Sequence, residues 1–211
     1  MKITWFGQAC FELVTSGGAV IICDPYHPNV GYPAHPRPAD VVTVSHEHLD
    51  HNYTNWVEGN PAIIRGVGSS EVKGVRLTGL PSYHDDEQGV KRGPNTIFVI
   101  EAEGLRVCHL GDLGNTPSEE VFAAIGKPDV LMIPVGGFYT IDAAQAAEIA
   151  KRVDAKLTIP MHFATGVREV PIAPVDGFAA LTGAVRQAGS SIEVDQNYSG
   201  SAVVVLDYLR E

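Results

Sequence analysis

SHEHLDH, residues 45–51, places His46, His48, Asp50 and His51 within six positions. Side chains share a face of a helix when three or four apart and of a strand when two apart, so no single regular element presents all four donors together. A loop wrapped around a ligand does. The helical zinc-protease pattern H-E-x-x-H needs a second histidine four residues after His46, and Asp50 stands there instead. The preceding DVVTVS, residues 40–45, reads as a buried strand, which puts the cluster at a strand end. Imidazole nitrogen and carboxylate oxygen suit zinc, iron, nickel and manganese, and no thiolate lies nearby to bias the choice. Four donors in so short a segment exceed what one open catalytic site takes from it, whereas a two-metal centre uses all of them. A solvated polar loop is the ordinary reading of an isolated histidine; four donors together at a strand end argue against it.

The rest of the chain sets the limits. Its 211 residues suit one domain, and 45% hydrophobic against 19% charged residues supply material for a sizeable core. Net charge is −10, with 25 acidic against 15 basic residues and no lysine or arginine block, which disfavours nucleic-acid binding. The N-terminal MKITWFGQACFELV lacks the apolar run of a signal peptide, and no stretch approaches membrane-spanning length. Cys10, Cys23 and Cys108 form no C-x-x-C pair and argue against a disulfide framework. These features predict a cytoplasmic, reduced protein acting without a membrane; homo-oligomer formation is left open.

Local patterns predict strands at KITWF, CFELV, VIICD and DVVTVS, then PAIIRGVG, GVRLTGL, and a hairpin across NTIFVIEAEGLRVCHLGD that turns at EAEG. The segment PYHPNVGYPAHPRPAD holds too many prolines for a helix or a central strand. Thr116-Pro117-Ser118-Glu119 predicts a helix capped by Thr116 and running to about Ile125, and the Asp142/Gln145 pair predicts a second helix over DAAQAAEIAKRV. DVLMIPV and LTIPMHF read as strands, DGFAALTGAVRQAG as a last helix and SAVVVLDY as a closing strand.

His46, His48, Asp50 and His51 form the H-x-H-x-D-H signature after a strand, and in this the chain resembles the metallo-β-lactamase superfamily. The remaining family positions occur in order: Asp24 in VIICD, His84 in LPSYHDD, Asp112 in HLGDLG and His162 in IPMHF. With WFGQACF near the start and VCHLGDLG in the middle, the sequence is most similar to small Zn-dependent hydrolases related to ascorbate-6-phosphate lactonase. The resemblance implies an α/β fold, a four-layer αββα sandwich, over residues 1–211 as a single domain, with metals at one edge between the sheets. It implies that His46, His48 and His84 hold one divalent ion, Asp50, His51 and His162 a second, and that Asp112 bridges them. Zinc is the first expectation, with nickel, manganese or iron also suited to these donors. Asp24 is expected to orient a ligand histidine, against the plain reading of an Asp-Pro turn. Family members commonly carry histidine where this chain has Gln8 and Asn115, which puts substrate contacts or an outer proton path in question rather than metal binding.

The expected activity is hydrolysis of a small ester, lactone or phosphodiester by a hydroxide held between the two ions, with Asp50 as proton acceptor and an anionic small molecule as substrate. Neutral imidazole ligands predict activity that falls as pH drops through their titration range. Alternatives are a di-iron redox or oxygen-binding protein and a non-enzymatic metal-binding protein. Of the remaining polar residues, His109 is expected to be a buried structural histidine, and His27 and His35 to lie on the surface. Lys91 and Arg92 are candidates to bind a phosphate or carboxylate, with a solvated charge pair as the commoner outcome. Tyr139 is either an oxyanion donor or a packing residue.

Overall fold

In the computed structural model, which describes residues 1–210, the first third of the chain gives β1 (Lys2–Gly7), β2 (Cys10–Val14), β3 (Val20–Cys23), the short β4 (Arg37–Pro38), β5 (Val41–Val44), β6 (Val57–Glu58) and β7 (Ala62–Arg65). There follow β8 (Gly68–Val72), β9 (Val75–Tyr83), β10 (Pro94–Ala102), β11 (Leu105–His109), α1 (Glu119–Ile125) and β12 (Val130–Pro134). The last part holds α2 (Ala143–Val153), β13 (Leu157–Met161), α3 (Asp176–Thr182), β14 (Val185–Arg186), β15 (Ser191–Glu193) and β16 (Val204–Val205). Two six-stranded sheets result, ordered β15-β1-β2-β3-β5-β7 and β13-β12-β11-β10-β9-β8.

The sheets pack face to face over a common core. Ile3, Trp5, Phe11, Leu13, Ile21 and Cys23 from the first meet Leu77, Phe98, Ile100 and Val107 from the second in one continuous buried cluster. Alternation along the first sheet sends Phe6, Cys10, Ile22, Val42 and Val44 to its other face, into a second cluster with Tyr26, Val30, Tyr32 and Trp56. Strands buried on both faces read as continuous apolar runs, which is why VIICD and DVVTVS lack a polar side. The outer cover of this sheet is the proline-rich segment, held by short 3-10 turns at Pro28–Val30 and Thr54–Trp56. Prolines there forbid the α-helix that a full αββα layering would supply. Over the second sheet the parallel strands β11, β12 and β13 are linked through α1 and α2, the usual crossover arrangement.

Several local expectations hold. The EAEG turn is a two-residue hairpin loop, with Glu103 and Gly104 both at positive φ (55° and 75°), the backbone that matches strand twist. The Asp142/Gln145 capping box is present at the start of α2. Others shift. α1 is capped by Ser118, not Thr116: the Ser118 hydroxyl accepts from Val121 N–H, leaving Glu119 and Glu120 in the first turn, where their charges favour the helix dipole. The last helix stops at Thr182 because Gly183 turns left-handed (φ 69°), and the closing strand shrinks to Val204–Val205. His35 is buried rather than on the surface, with Nε2 3.2 Å from the Leu209 carbonyl and its ring 5.0 Å from Phe6. Among the described residues no helix is long and apolar enough to cross a membrane.

Candidate metal centre

Six strand ends meet at one rim of the sandwich. From the first sheet, β1 leads into Gln8, β3 into Asp24 and β5 into His46–His51; from the second, β9 leads into His84, β11 towards Asp112 and β13 into His162. All seven residues read as ligands from the sequence come together there. His46, His48 and His84 offer donor atoms within 4.8 Å of one another, and so do Asp50, His51 and His162. Asp112 Oδ2 lies between the two groups, 3.4 Å from His84 Nε2, 3.2 Å from His51 Nε2 and 3.2 Å from His162 Nε2. A third, overlapping group joins Asp24 to His46 and His51. The Asp24 oxygens are already committed: Oδ1 accepts from Ser45 N–H at 2.8 Å, and Oδ2 from the Ser45 hydroxyl at 2.5 Å and from His51 Nδ1 at 2.9 Å. Asp24 therefore orients His51, and the bond to Nδ1 leaves Nε2 to face the centre.

The backbone beneath the site is tightly specified. Asp112 N–H donates to Asn95 Oδ1 at 3.0 Å, while Asn95 Nδ2 reaches Ser82 Oγ and the Leu110 carbonyl, so one buried amide pins the loop that carries Asp112. Gln8 and His162 both have left-handed backbone (φ 54° and 51°), a conformation costing roughly 1 kcal/mol or more for such residues. Their loops are joined where His162 N–H donates to the Gln8 carbonyl at 3.0 Å. The Gln8 side chain in turn donates Nε2 to Asp50 Oδ2 at 3.0 Å. Gly114 permits a close approach: a Cβ there would sit 2.3 Å from the backbone of His84 and Asp85. Gly114→Ala is thus expected to push the Asp112 and His84 loops apart and to lower metal content, read by elemental analysis, while far-ultraviolet circular dichroism stays that of the native sheets.

The donor set fits cations by its own chemistry. His46 Nε2, His51 Nε2, His84 Nδ1, His162 Nδ1 and Asp112 Oδ1 are buried with no hydrogen-bond partner among the described residues. Each such atom costs about 1–3 kcal/mol. His46 Nε2 and His51 Nε2, whose Nδ1 atoms are engaged by Ser45 and Asp24, are those that a bound cation would relieve, whereas His84 and His162 already turn Nε2 towards Asp112. Burial pulls the His46 imidazole down to about 2, with the neighbouring His51 adding to the effect. Burial also lowers His84, against the pull of Asp112. At His51 burial is outweighed by the Asp112 and Asp50 charges, which hold the ring well above its usual value. Asp112 is the counterpart: burial opposes its charge, yet His162 and His51 keep the carboxyl well below the ordinary range.

Around this centre lies a cleft of about 270 Å³. Gln8, Tyr139 and Arg92 line it, whereas Lys91 turns outward to Glu87 (2.7 Å) and Asp86 (3.2 Å), a solvated pair. His109 is fully buried, with Nε2 2.8 Å from the Ala9 carbonyl and Nδ1 accepting from Gly111 N–H, so it is the structural histidine expected. His27 is half-buried and caps the first 3-10 turn through Nδ1. Sequence reasoning missed Ser45, Asn95 and Arg168, which bears no motif at all but lines the cleft.

Comparison with known proteins shows the family. The Beta-lactamase superfamily domain matches residues 2–162. A UPF0173 metal-dependent hydrolase of Methanoculleus marisnigri is 31% identical over 95% of this chain and 100% of its own length. Another from Archaeoglobus fulgidus is 29% identical over 78% of this chain and 84% of its own. The crystal structure of a protein assigned as a Zn-dependent hydrolase of the metallo-β-lactamase superfamily from Thermotoga maritima superposes with a TM-score of 0.84 at 39% identity, covering 99% of each chain. With the rim of histidines and aspartates in place, the chain belongs to the metallo-β-lactamase superfamily and, within it, to the UPF0173 metal-dependent hydrolases.

Proposed function

We propose that His46, His48 and His84 hold one divalent cation and Asp50, His51 and His162 a second, with Asp112 between them, and that the site hydrolyses a small ester, lactone or phosphodiester. The observation that carries this reading is the position of Asp112 Oδ2, within 3.4 Å of imidazoles delivered by three separate loops. A carboxylate offers two oxygens and a negative charge, so it can join two cations and partly neutralise them. When bound, such a pair, zinc first among the candidates, lowers the pKa of a water between the ions and polarises the bond to be cleaved. Asp50 is the residue assigned to accept the proton: its side chain is 34% exposed at the cleft, and Gln8 Nε2 fixes Oδ2. Asp24 and Ser45 keep His51 aligned. The cleft volume suits a small molecule, and an acidic chain without a basic arm does not suit a long nucleic acid.

The test combines elemental analysis of the purified protein with a panel of lactones, esters, thioesters and phosphodiesters. Two equivalents of metal are expected, with hydrolysis abolished by exhaustive chelation and restored by zinc. Full turnover in metal-stripped protein would end the proposal, and two equivalents of iron without any hydrolysis would move the chain to redox chemistry.

A further inference from the structure

The loops that leave His84 and His162 each carry an arginine into the cleft. After His84 the chain folds around the Asp85 carboxylate, which accepts backbone N–H groups from Glu87, Gly89, Lys91 and Arg92 at 2.7–2.9 Å. Four backbone donors on one carboxylate fix the loop as a knot. Its geometry turns Lys91 away and Arg92 inward, where the guanidinium lies 5.5 Å from the centre of the Tyr139 ring. On the other side, the segment after His162 brings Arg168 to the same cleft.

Neither guanidinium has a carboxylate partner among the described residues. Five arginines elsewhere are paired, Arg37 with Glu12, Arg65 with Glu47, Arg76 and Arg106 with Glu101, and Arg152 with Glu119, while Arg186 and Arg210 lie away from the metal centre. Two unpaired planar forks in one cleft, in a protein of net charge −10, match the bidentate geometry of a carboxylate or phosphate. Val30, Tyr32, Phe163 and Ile172 add apolar surface to the same cleft.

We propose that Arg92 and Arg168 form an anion subsite beside the metal centre, so that the substrate is a small ester or lactone with a fixed carboxylate or phosphate and an apolar body. The ester part rests on the hydrolase reading above; anion binding does not.

Titration calorimetry with inorganic phosphate and with butyrate, into the zinc-loaded protein and its Arg92→Ala, Arg168→Ala and Lys91→Ala variants, tests the subsite. Whatever the ions contribute is common to all four proteins. A charge-assisted hydrogen bond corresponds to about tenfold to a hundredfold in affinity, so each arginine variant is expected to weaken one anion by about that factor, with Lys91→Ala unchanged. The anion that loses more identifies carboxylate or phosphate. In parallel, para-nitrophenyl butyrate is compared with the mono-para-nitrophenyl ester of glutaric acid, which adds a carboxylate to a similar chain. The wild type is expected to favour the charged ester, and the selectivity ratio to fall about tenfold in Arg92→Ala, with partial recovery in Arg92→Lys. Should either alanine variant not fold, the lysine variant, which keeps the charge but loses the fork, carries the same comparison. Equal anion affinities across the variants overturn the subsite. Separated affinities with no ester hydrolysed leave the subsite standing and remove the hydrolase reading instead.

Discussion

Asp112→Ala is expected to lower turnover by about three orders of magnitude or more and to leave the purified protein short of metal. Polarisation by a cation pair supplies several kcal/mol to the transition state, and each 1.36 kcal/mol is about a factor of ten in rate. Asp112 Oδ2 approaches members of both histidine groups at 3.2–3.4 Å, whereas the Asp24 oxygens are engaged by Ser45 and His51 Nδ1. Asp50, also at the rim, groups with His51 and His162. Alanine also leaves Asn95 and the backbone of the loop in place, because the bond from Asp112 N–H to Asn95 Oδ1 does not involve the replaced side chain. The loss is therefore chemical and not architectural. Asp112→Asn, which keeps the shape and one acceptor oxygen but not the charge, is expected to fall between alanine and wild type. Metal content by elemental analysis together with kcat/KM on the best substrate of the panel gives the answer. An alanine variant with two equivalents of metal and the wild-type rate would falsify the bridging role.

The parts of this site that the sequence displays are those in which donors are local or follow a recognisable order. His46, His48, Asp50 and His51 stand side by side, and DVVTVS announces the strand that delivers them. His84, Asp112 and His162 follow later strands, and the resemblance supplied their roles. What stayed hidden depends on long-range juxtaposition. Gln8 and Asp50 are 42 positions apart and meet because β1 and β5 end on the same rim. Asn95 lies at the start of β10, polar and buried, and nothing in its neighbours marks it as the pin for residue 112. Arg168 carries no pattern at all. Lys91 and Arg92 could not be told apart by spacing, since what separates them is the knot around Asp85. At Thr116-Pro117-Ser118 the sequence pattern places the cap two residues too early, because the bond from Val121 N–H to Ser118 Oγ that fixes it is seen only in the folded chain.

Asp24 offers the sharpest separation between an orienting carboxylate and an ordinary turn residue. It is fully buried and accepts from Ser45 N–H, the Ser45 hydroxyl and His51 Nδ1, so Asp24→Ala strands three donors where water does not reach. Breaking such a buried pair costs about 3–5 kcal/mol, which for a chain of this size lowers Tm by roughly 10 °C. That loss is measurable in metal-free protein, where ligation plays no part. The second effect is on the metal: removing the partner that fixes a ligand histidine typically weakens affinity tenfold to a hundredfold, read by competition against a chelator. Asparagine divides the two explanations. Backbone φ at Asp24 is 46°, and asparagine tolerates that left-handed conformation as readily as aspartate, so a turn role would make Asp24→Asn harmless. An orienting role makes it costly, because one end of the amide turns an N–H towards donors that already point inward. Weaker metal binding in Asp24→Asn, with its fold retained, is the expected result; unchanged affinity would return Asp24 to the turn.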